Sequence, residues 1–292
     1  MLKHHWTTPQ KPSRVCILGS QGFVASSVAK ALNEREIAAE AIGSGDVNLT
    51  GSDAGKRLAA RLRSEDTLIF VSARAPCKTM PLFMENLAMA KGVAEAIAQT
   101  TPAHLIYISS DAVYRDDLDL VREGDCAHPG SLHGAMHMAR EALLQASTKI
   151  PLCLLRPSLL YGAADPHNGY GPNRFMRQAA VGETITLFGE GEEQRDHVWI
   201  RDVADIVCRV AEHRSQGILN IATGQSWSFR AIAEHVVSLF EKPTAIQGTP
   251  RQNPVTHRHY DITACLKAFP DFHYTSLKDG LAHTHRHGMK KL

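Results

Sequence analysis

Short apolar runs alternate with longer amphipathic segments along the first 160 residues. The runs "VCIL" and "HLIYISS" have the length of strands, and the composition of "DTLIFVSA" predicts a strand that is buried on both faces of a sheet. The predicted strands are residues 15–18, 38–42, 46–49, 66–73, 104–110 and 151–160, and the predicted helices cover about 23–32, 81–99 and 131–146. This alternation predicts an α/β fold, a Rossmann-type doubly wound parallel sheet with helices on both faces.

The pattern changes after residue 161. The stretch "YGAADPHNGYGPNRF" is rich in glycine, proline and asparagine, which predicts an irregular loop. Beyond it, amphipathic helices are predicted over 201–213 and 228–240, with a strand over 217–223 between them. We therefore divide the chain into a flexible N-terminus (1–12), a Rossmann domain (13–165) and a smaller C-terminal α/β lobe (166–292), whose elements at about 200–225 return to the Rossmann sheet.

The first strand leads into the glycine pattern G-x-x-G-x-x-A, formed by Gly19, Gly22 and Ala25. Glycines allow a tight turn and a close approach of the backbone to a pyrophosphate, and the following helix offers its free N–H groups to the same anion. Ala25 is small enough for close packing of helix on strand. Strand, glycine turn and helix in this order predict a dinucleotide site.

Charge and composition exclude several other classes of protein. Lys and Arg (32) nearly balance Asp and Glu (30), so nothing favours nucleic acid or an anionic membrane as a partner. No apolar run approaches the ~18–20 residues of a membrane span, and the first residues lack the apolar core of a secretory signal. Six scattered cysteines without a C-x-x-C pair favour a reducing, cytoplasmic setting.

Four stretches resemble the extended short-chain dehydrogenase/reductases of the NAD-dependent epimerase/dehydratase (nucleotide-sugar) family. They are "GSQGFVA", "ISSDAVY", "LRPSLLYG" and "GEGEEQRDHVWIRDVADI", the last followed by "LNIATG". The resemblance covers about residues 14–240. It implies NAD or NADP as cofactor for the Rossmann domain and a nucleotide sugar as the small-molecule substrate in the C-terminal lobe. The reaction it implies is hydride-transfer epimerisation, reduction or dehydration.

The resemblance also implies roles for individual residues. The implied cofactor contacts are Gly19, Gln21, Gly22, Phe23, Ala25, Asp46, Val47, Ser72, Ala73, Asn86, His137, Pro157 and Ser158. The implied substrate contacts are Asn173, Arg174, Phe175 and Arg195, the last because a guanidinium fork suits a diphosphate. Ser110 matches the catalytic Ser/Thr of the family, and Asp111 stands where its dehydratases often place an acid; the alternative is that Asp111 only caps a turn.

The chain departs from the family at the central Y-x-x-x-K motif. In "SLHGAMHMARE", His133 occupies the tyrosine position and His137 the lysine position. A histidine accepts a proton near neutral pH without an activating cation, so His133 is the predicted acid/base residue. The i, i+4 spacing places His137 on the same helical face, where it can bond the ribose and where Glu141 can bias it toward its protonated form.

Three alternatives to this interpretation stay open. The protein can bind a dinucleotide without turning over a substrate, in a non-catalytic or regulatory role. His133 and His137, with Cys126 and His128, have the residue types of a metal site, although we expect no metal. A surface role for both histidines is the third.

Two features are poorly marked in the sequence. The second strand ends "AIGSG", without the acid of an NAD enzyme or an arginine for the NADP phosphate, so both cofactors remain open. The apolar residues of helix 81–99 either form part of a homodimer interface, together with helix 131–146, or pack on the sheet.

Overall fold

The computed structural model describes residues 2–251 and 253–288. The strands are β1 Val15–Leu18, β2 Ala39–Ile42, β3 Thr67–Phe70, β4 His104–Ile108, β5 Leu120–Val121, β6 Leu152–Pro157, β7 Leu159–Tyr161, β8 Ile185–Phe188, β9 Gln194–Trp199, β10 Gly217–Ile221, β11 Ser226–Ser228, β12 Ile246–Thr249 and β13 His259–Tyr260. The helices are α1 Phe23–Glu34, α2 Ala54–Ala59, α3 Met80–Gln99, α4 Leu132–Ser147, α5 Pro172–Val181, α6 Ile200–Glu212, α7 Phe229–Val237, α8 Thr263–Ala268 and α9 Leu277–His287, and Asp111–Val113 form one 3-10 turn.

The large sheet has six parallel strands in the order β10-β6-β4-β3-β1-β2. Alternate side chains of each strand face opposite layers: Val15 and Ile17 join the core under α1 and α6, whereas Cys16 and Leu18 join the core under α2 and α3. Because both faces are covered, the strands read as continuous apolar runs. The predicted Rossmann-type α/β fold is confirmed.

The second lobe has its own core of apolar side chains from α5, α7, α9 and β8. Beside this core lie a three-stranded sheet in the order β11-β9-β7 and the β12-β8 pair. The segment between Ile200 and Ile221 lies on the large sheet, because α6 packs on α1 and β10 pairs with β6. No described helix is both long and apolar enough to cross a membrane.

Three local predictions were wrong. Residues 46–49 form a turn instead of a strand, because the Asp46 carboxylate accepts a hydrogen bond from the Gly43 N–H (2.9 Å) and closes the chain locally. The run 151–160 divides between two sheets: β6 ends at Pro157, and β7 joins β9 in the smaller sheet. The N-terminal residues, predicted to be flexible, are tied to the molecule by paired backbone hydrogen bonds between Lys3 and Gln216, both 2.9 Å long.

Candidate active site

A cleft of about 770 Å³ opens where the carboxyl ends of β1, β2 and β3 face the second lobe. Parallel sheets bind ligands at this edge, because the strands end there and the following helices begin. On the sheet side the cleft is lined by Gly19, Gln21, Gly22, Phe23, Asp46, Val47, Ser72 and Ala73, all predicted cofactor residues. On the opposite side it is lined by Leu159, Leu160, Asp165, His167, Tyr170, Asn173 and His197.

The turn between β1 and α1 forms a cradle that only glycine permits at its first position. Gly19 has φ +113°, and a Cβ there would lie 3.1 Å from the Ser72 hydroxyl. Gly22 is the N-cap of α1, and no side chain bonds the first N–H groups of this helix. The turn therefore leaves helix donors facing the cleft, with room for a phosphate to approach the backbone.

The loop after β2 supplies a second wall of the same half. Asp46 lines the cleft while its carboxylate holds the Gly43 N–H. Arg57 donates to the Asp46 carbonyl (2.8 Å), and the Arg61 guanidinium lies 3.6 Å from the Asp46 carboxylate. The sequence showed no arginine beside this turn; α2 brings Arg57, and the turn after α2 brings Arg61.

Asn86 does not line the cleft, and its predicted direct role needs correction. Its amide pairs with both backbone groups of Arg74 (3.0 Å each) and with the Leu82 carbonyl (2.8 Å). Both N–H donors of the amide are used within the chain and the side chain is fully buried, so Asn86 has no donor left for a ligand. Asn86 therefore shapes the cleft by holding the loop that begins at Ser72.

Three other predicted cofactor residues lie behind the cleft surface. Ala25 is buried in the packing of α1 against the sheet. Pro157 ends β6, and the Ser158 hydroxyl donates to the Asp196 carboxylate (3.0 Å). Their predicted direct contact with a cofactor is not what the cleft geometry shows; these residues form its supporting layer.

The predicted substrate residues are also divided. The Asn173 amide is used by the chain itself, accepting from the Gly162 N–H (3.0 Å) and donating to Asp165 (2.8 Å). Phe175 is fully buried in the lobe core, and Arg174 is half-buried on the first turn of α5, outside the cleft lining. Only Asn173 of these three reaches the cleft wall, where its side chain holds the loop at Gly162 and Asp165.

Arg195 was predicted to meet a diphosphate, yet its guanidinium is occupied. It donates to the backbone carbonyl and hydroxyl of Thr256 (2.7 and 2.8 Å) and pairs with Glu193. Glu193 also pairs with Arg251 (2.8 Å). To bind a phosphate, Arg195 must release these partners.

His197, to which the sequence assigned no role, lies in the cleft wall. It is 3 % exposed, and neither ring nitrogen has a hydrogen-bond partner among the described residues. Burial lowers the pKa of His197 to about 3, so the ring is neutral and offers one donor and one acceptor. A Cβ on Gly171, at the start of α5, would lie 3.3 Å from His197 Nε2.

Ser110 caps the 3-10 turn that follows β4, and Asp111 is the first residue of that turn. The Ser110 hydroxyl accepts from the Ala112 N–H (3.2 Å), so it caps the turn. The Asp111 carboxylate accepts from the Tyr260 hydroxyl (2.5 Å) and lies 3.3 Å from the Arg258 guanidinium. Neither residue lines the cleft. The C-terminal partners Tyr260 and Arg258 carry no signal in the sequence pattern.

Helix α4 lies directly against this turn. A Cβ on Gly134 would come within 1.9 Å of the Ala112 carbonyl oxygen, so only glycine allows the contact. This packing places His133, the preceding residue, close enough to Asp111 for the carboxylate to raise the pKa of the imidazole, although burial lowers it more. Asp111 and His133 therefore lie near one another at one end of α4; that they and Ser110 act together stays a prediction.

His133 and His137 lie on one face of α4, with ring centroids 4.8 Å apart and ring planes at 89°. His133 Nδ1 faces the Cys77 N–H at 3.4 Å, a long contact that favours the proton on Nε2 but holds it weakly. Cys77 follows the cleft-lining loop of residues 72–75, which places His133 just beyond the cleft edge. His137 is 5 % exposed, and its Nδ1 lies 2.7 Å from the Tyr107 hydroxyl.

Glu141 does not act on His137 as predicted. Its carboxylate accepts two hydrogen bonds from Arg156 (2.9 and 2.5 Å) and one from Ser109 (2.6 Å). Burial, followed by the neighbouring His133 and Arg140, holds the pKa of His137 well below its ordinary value. His137 is therefore neutral, the opposite of the predicted bias.

The metal alternative finds no third ligand in the described part of the chain. No group of three or more His, Cys, Asp or Glu side chains within residues 2–251 and 253–288 is arranged to hold an ion. Cys126 is exposed, with its sulfur directed at the Ala127 carbonyl, and the backbone N–H of His128 bonds the Val113 carbonyl.

Comparisons with known proteins agree with this architecture. Residues 15–222 match the model of the NAD dependent epimerase/dehydratase family. A dTDP-L-rhamnose 4-epimerase of Burkholderia thailandensis is 33% identical over 147 residues, which are 47% of this chain and 40% of that protein. The match thus spans less than half of that relative.

Solved structures of nucleotide-sugar epimerases share the fold across nearly the whole chain. A UDP-N-acetylglucosamine 4-epimerase from Methanobrevibacter ruminantium, in complex with UDP-N-acetylmuramic acid, superposes with a TM-score of 0.82 at 19% identity, over 95% of this chain and 98% of that one. The UDP-glucose 4-epimerase of Thermus thermophilus, in complex with NAD, gives 0.79 at 22% identity, over 94% and 98%.

Proposed function

Since the chain belongs to the NAD-dependent epimerase/dehydratase family, we propose that it converts a nucleotide sugar by reversible hydride transfer, with NAD or NADP held in the cleft. The observation that carries this proposal is the cradle of Gly19 and the uncapped start of α1, which face the same cleft as the second lobe. A pyrophosphate fits donors of this kind without a protein cation. When bound, the nicotinamide dinucleotide supplies hydride acceptance and return.

The second lobe is the proposed substrate-binding region. Its wall combines the aromatic ring of Tyr170 with the unpartnered imidazole of His197 and the half-exposed apolar face of Leu159 and Leu160. A sugar nucleotide offers apolar ring faces and hydroxyls that complement such a surface. The proposal leaves epimerisation, reduction and dehydration as three alternatives.

A panel of sugar nucleotides tests this function. UDP-, GDP- and dTDP-sugars are incubated with the enzyme and each dinucleotide, and the products are separated and identified. Calorimetry with NAD, NADH, NADP and NADPH gives the cofactor affinities in parallel. Absence of binding for all four dinucleotides at millimolar concentration contradicts the proposal at its first step.

His133 is the proposed proton-transfer residue. As base it takes the proton of a sugar hydroxyl on one ring nitrogen, and as acid it returns that proton to the oxygen. For base use at Nε2 the neutral ring must carry its proton on Nδ1, so the Cys77 contact is given up during the reaction. The length of that contact, 3.4 Å, makes this exchange inexpensive.

The His133→Ala variant should lose about 100-fold or more in kcat, the lower range for removal of a general acid–base group, and keep its affinity for the dinucleotide. His128→Ala, which removes an exposed histidine from the preceding loop, serves as the control. The double variant His133→Tyr with His137→Lys rebuilds the tyrosine–lysine pair of the family, and it should recover activity that His133→Tyr alone lacks. Full activity of His133→Ala would transfer the role to Ser110 or Asp111.

One observation favours a second candidate function, dinucleotide binding without turnover. Ser110, Asp111, His133 and His137 all lie outside the cleft lining, and Asp111 is engaged by Tyr260 and Arg258. A non-catalytic binder would show dinucleotide affinity but no product from any sugar nucleotide. The panel and the calorimetry together separate the two candidates.

A homodimer remains part of the proposal. Most of the apolar residues of α3 are used inside the molecule, against α2, α4 and the sheet, but Met80 and Met84 at its beginning are 74 % and 58 % exposed. We expect a second copy to cover them. Light scattering at micromolar concentration should give twice the mass of one chain, and Met84→Glu should halve it; a monomer in both samples refutes the dimer.

A further inference from the structure

Tyr107 on β4 stands behind the histidine pair of α4. Its ring is 1 % exposed, and its hydroxyl lies 2.7 Å from Nδ1 of His137. The ring itself is held by Phe70, with the two centroids 5.3 Å apart. This contact joins the strand under the site to the residue that replaces the lysine of the family.

The direction of this hydrogen bond follows from the groups around the phenol. Burial raises the pKa of the Tyr107 hydroxyl, so it keeps its proton. Among the described residues, the one acceptor within hydrogen-bond distance of that hydroxyl is His137 Nδ1. Arg140, the charged neighbour, is a donor only. Since a buried O–H left without an acceptor is costly, Tyr107 donates and His137 accepts.

The positive charge of Arg140 also favours a neutral His137. The Arg140 guanidinium is fully buried, donates to the carbonyls of Ser72 and Asn86 (2.9 Å each) and lies 4.8 Å from the centre of the Phe70 ring. No carboxylate in the described chain pairs with it. A fixed cation one turn away on α4 opposes a second positive charge on His137.

We propose that the Tyr107 hydroxyl is a positioning group that fixes His137 as the neutral tautomer with its proton on Nε2. Position 137 then presents a single hydrogen-bond donor beside His133, where the family has a flexible ammonium group. The acceptor it suits is a hydroxyl or ether oxygen, such as that of a ribose. Arg140 supplies the permanent charge of this region from a buried place, three residues further along the helix.

The tautomer itself can be measured without ligand or turnover. Long-range proton–nitrogen correlation spectra of histidine-labelled protein distinguish the two neutral tautomers and the cation. His137→Gln identifies the signals of residue 137 among those of the sixteen histidines. We expect a single Nε2–H pattern for His137 between pH 6 and 8. An Nδ1–H pattern, a mixture or a protonated ring in the unaltered protein overturns the proposal.

The Tyr107→Phe variant tests whether the Tyr107 hydroxyl is what fixes the tautomer of His137. It keeps the ring against Phe70 and removes only the donor, so His137 should shift to a mixture of tautomers. The matched control is Tyr161→Phe, which removes a buried hydroxyl that has no partner among the described residues and should leave the His137 signals unchanged. An unaltered His137 spectrum in folded Tyr107→Phe also overturns the proposal.

The consequence for ligands rests on the proposed function, because it assumes that a bound dinucleotide meets His137. Tyr107→Phe should then weaken the binding of NADH by about 3- to 10-fold, the loss of one well-placed hydrogen bond, and Tyr161→Phe should not. A fixed tautomer in a protein that binds no dinucleotide would refute the proposed function alone. A fixed tautomer with unchanged NADH affinity in Tyr107→Phe would refute the positioning role.

Discussion

His197 is a buried side chain in the cleft wall whose polar atoms bond nothing in the described chain. Its ring packs edge-on against Phe229, with centroids 5.7 Å apart. A neutral imidazole with two unsatisfied nitrogens is a cost to folding that a bound hydroxyl can relieve.

We therefore expect His197→Phe to fold with an unchanged or higher Tm, since it keeps a planar ring of similar shape and removes the unsatisfied atoms. The same variant should weaken the binding of the cognate sugar nucleotide by about 5- to 10-fold, because the hydroxyl contact is lost. Calorimetry with sugar nucleotide and with NAD separates the two sites. Equal affinity for the sugar nucleotide in both proteins would make His197 a packing residue only.

For single residues, the sequence predicted which side chains share a helical face better than it predicted the hydrogen-bond partners of those side chains. The pairing of His133 with His137 follows from helical spacing, and the structure confirms that both lie on one face of α4. Tyr107 and Tyr260 could not be found in this way, because they lie on strands outside α4, where helical spacing gives no signal. Arg140 left a usable signal: a cation three residues after His137, on the apolar side of the helix.

Elements were predicted well where the apolar pattern decides the structure. β1, α3 and α4 begin and end within two residues of their predicted bounds, because strong periodicity and capping residues act locally. Ser131 caps α4 through the Gly134 N–H, for example. The strand predicted over 46–49 is absent, because the Asp46 carboxylate closes a turn there that apolar content alone does not reveal.

The turn before α1 is the element on which cofactor binding depends most directly. Gly19→Ala must place a side chain at φ +113° and 3.1 Å from the Ser72 hydroxyl. We expect this variant to weaken NAD binding by about 10-fold or more, from the cost of a left-handed backbone for a residue with a Cβ.

Gly45→Ala is the matched control for Gly19→Ala. Gly45 lines the same cleft, and a Cβ there meets nothing within 4 Å. Calorimetry should show NAD affinity close to that of the unaltered protein. Equal losses in the two variants would mean that the cleft rim as a whole, and not the glycine cradle, determines binding.

Across the whole molecule, parts far apart in sequence complete one another. The C-terminal strand β13 pairs with β5 and brings Tyr260 to Asp111, and the N-terminal residues pair beside β10. Contacts of this kind depend on which surfaces remain uncovered after the sheet forms. A single sequence carries no periodic signal for them, so the N-terminus was mistaken for a flexible segment.

His104 belongs to this long-range packing. It begins β4, is fully buried, and donates from Nε2 to the Ser215 carbonyl (2.7 Å) in the loop after α6. The Ser215 hydroxyl in turn bonds His4 of the N-terminal segment (2.7 Å). Three separate parts of the chain therefore meet at Ser215. His104 must stay neutral in this arrangement, because burial lowers its pKa to about 4.

His104 should make the fold sensitive to acid. Between pH 6.5 and about 4 the unfolded chain binds a proton at this ring and the native protein does not, so the free energy of unfolding falls as the pH falls. The contribution is fully present above pH 6.5. His104→Gln keeps an N–H donor for Ser215 and removes the titration. From pH 7.5 to 5.5, urea unfolding should show the unaltered protein losing about 1.4 kcal/mol more than this variant. Equal losses would mean that His104 gains its proton inside the fold, so that its burial places no constraint on the charge of the ring.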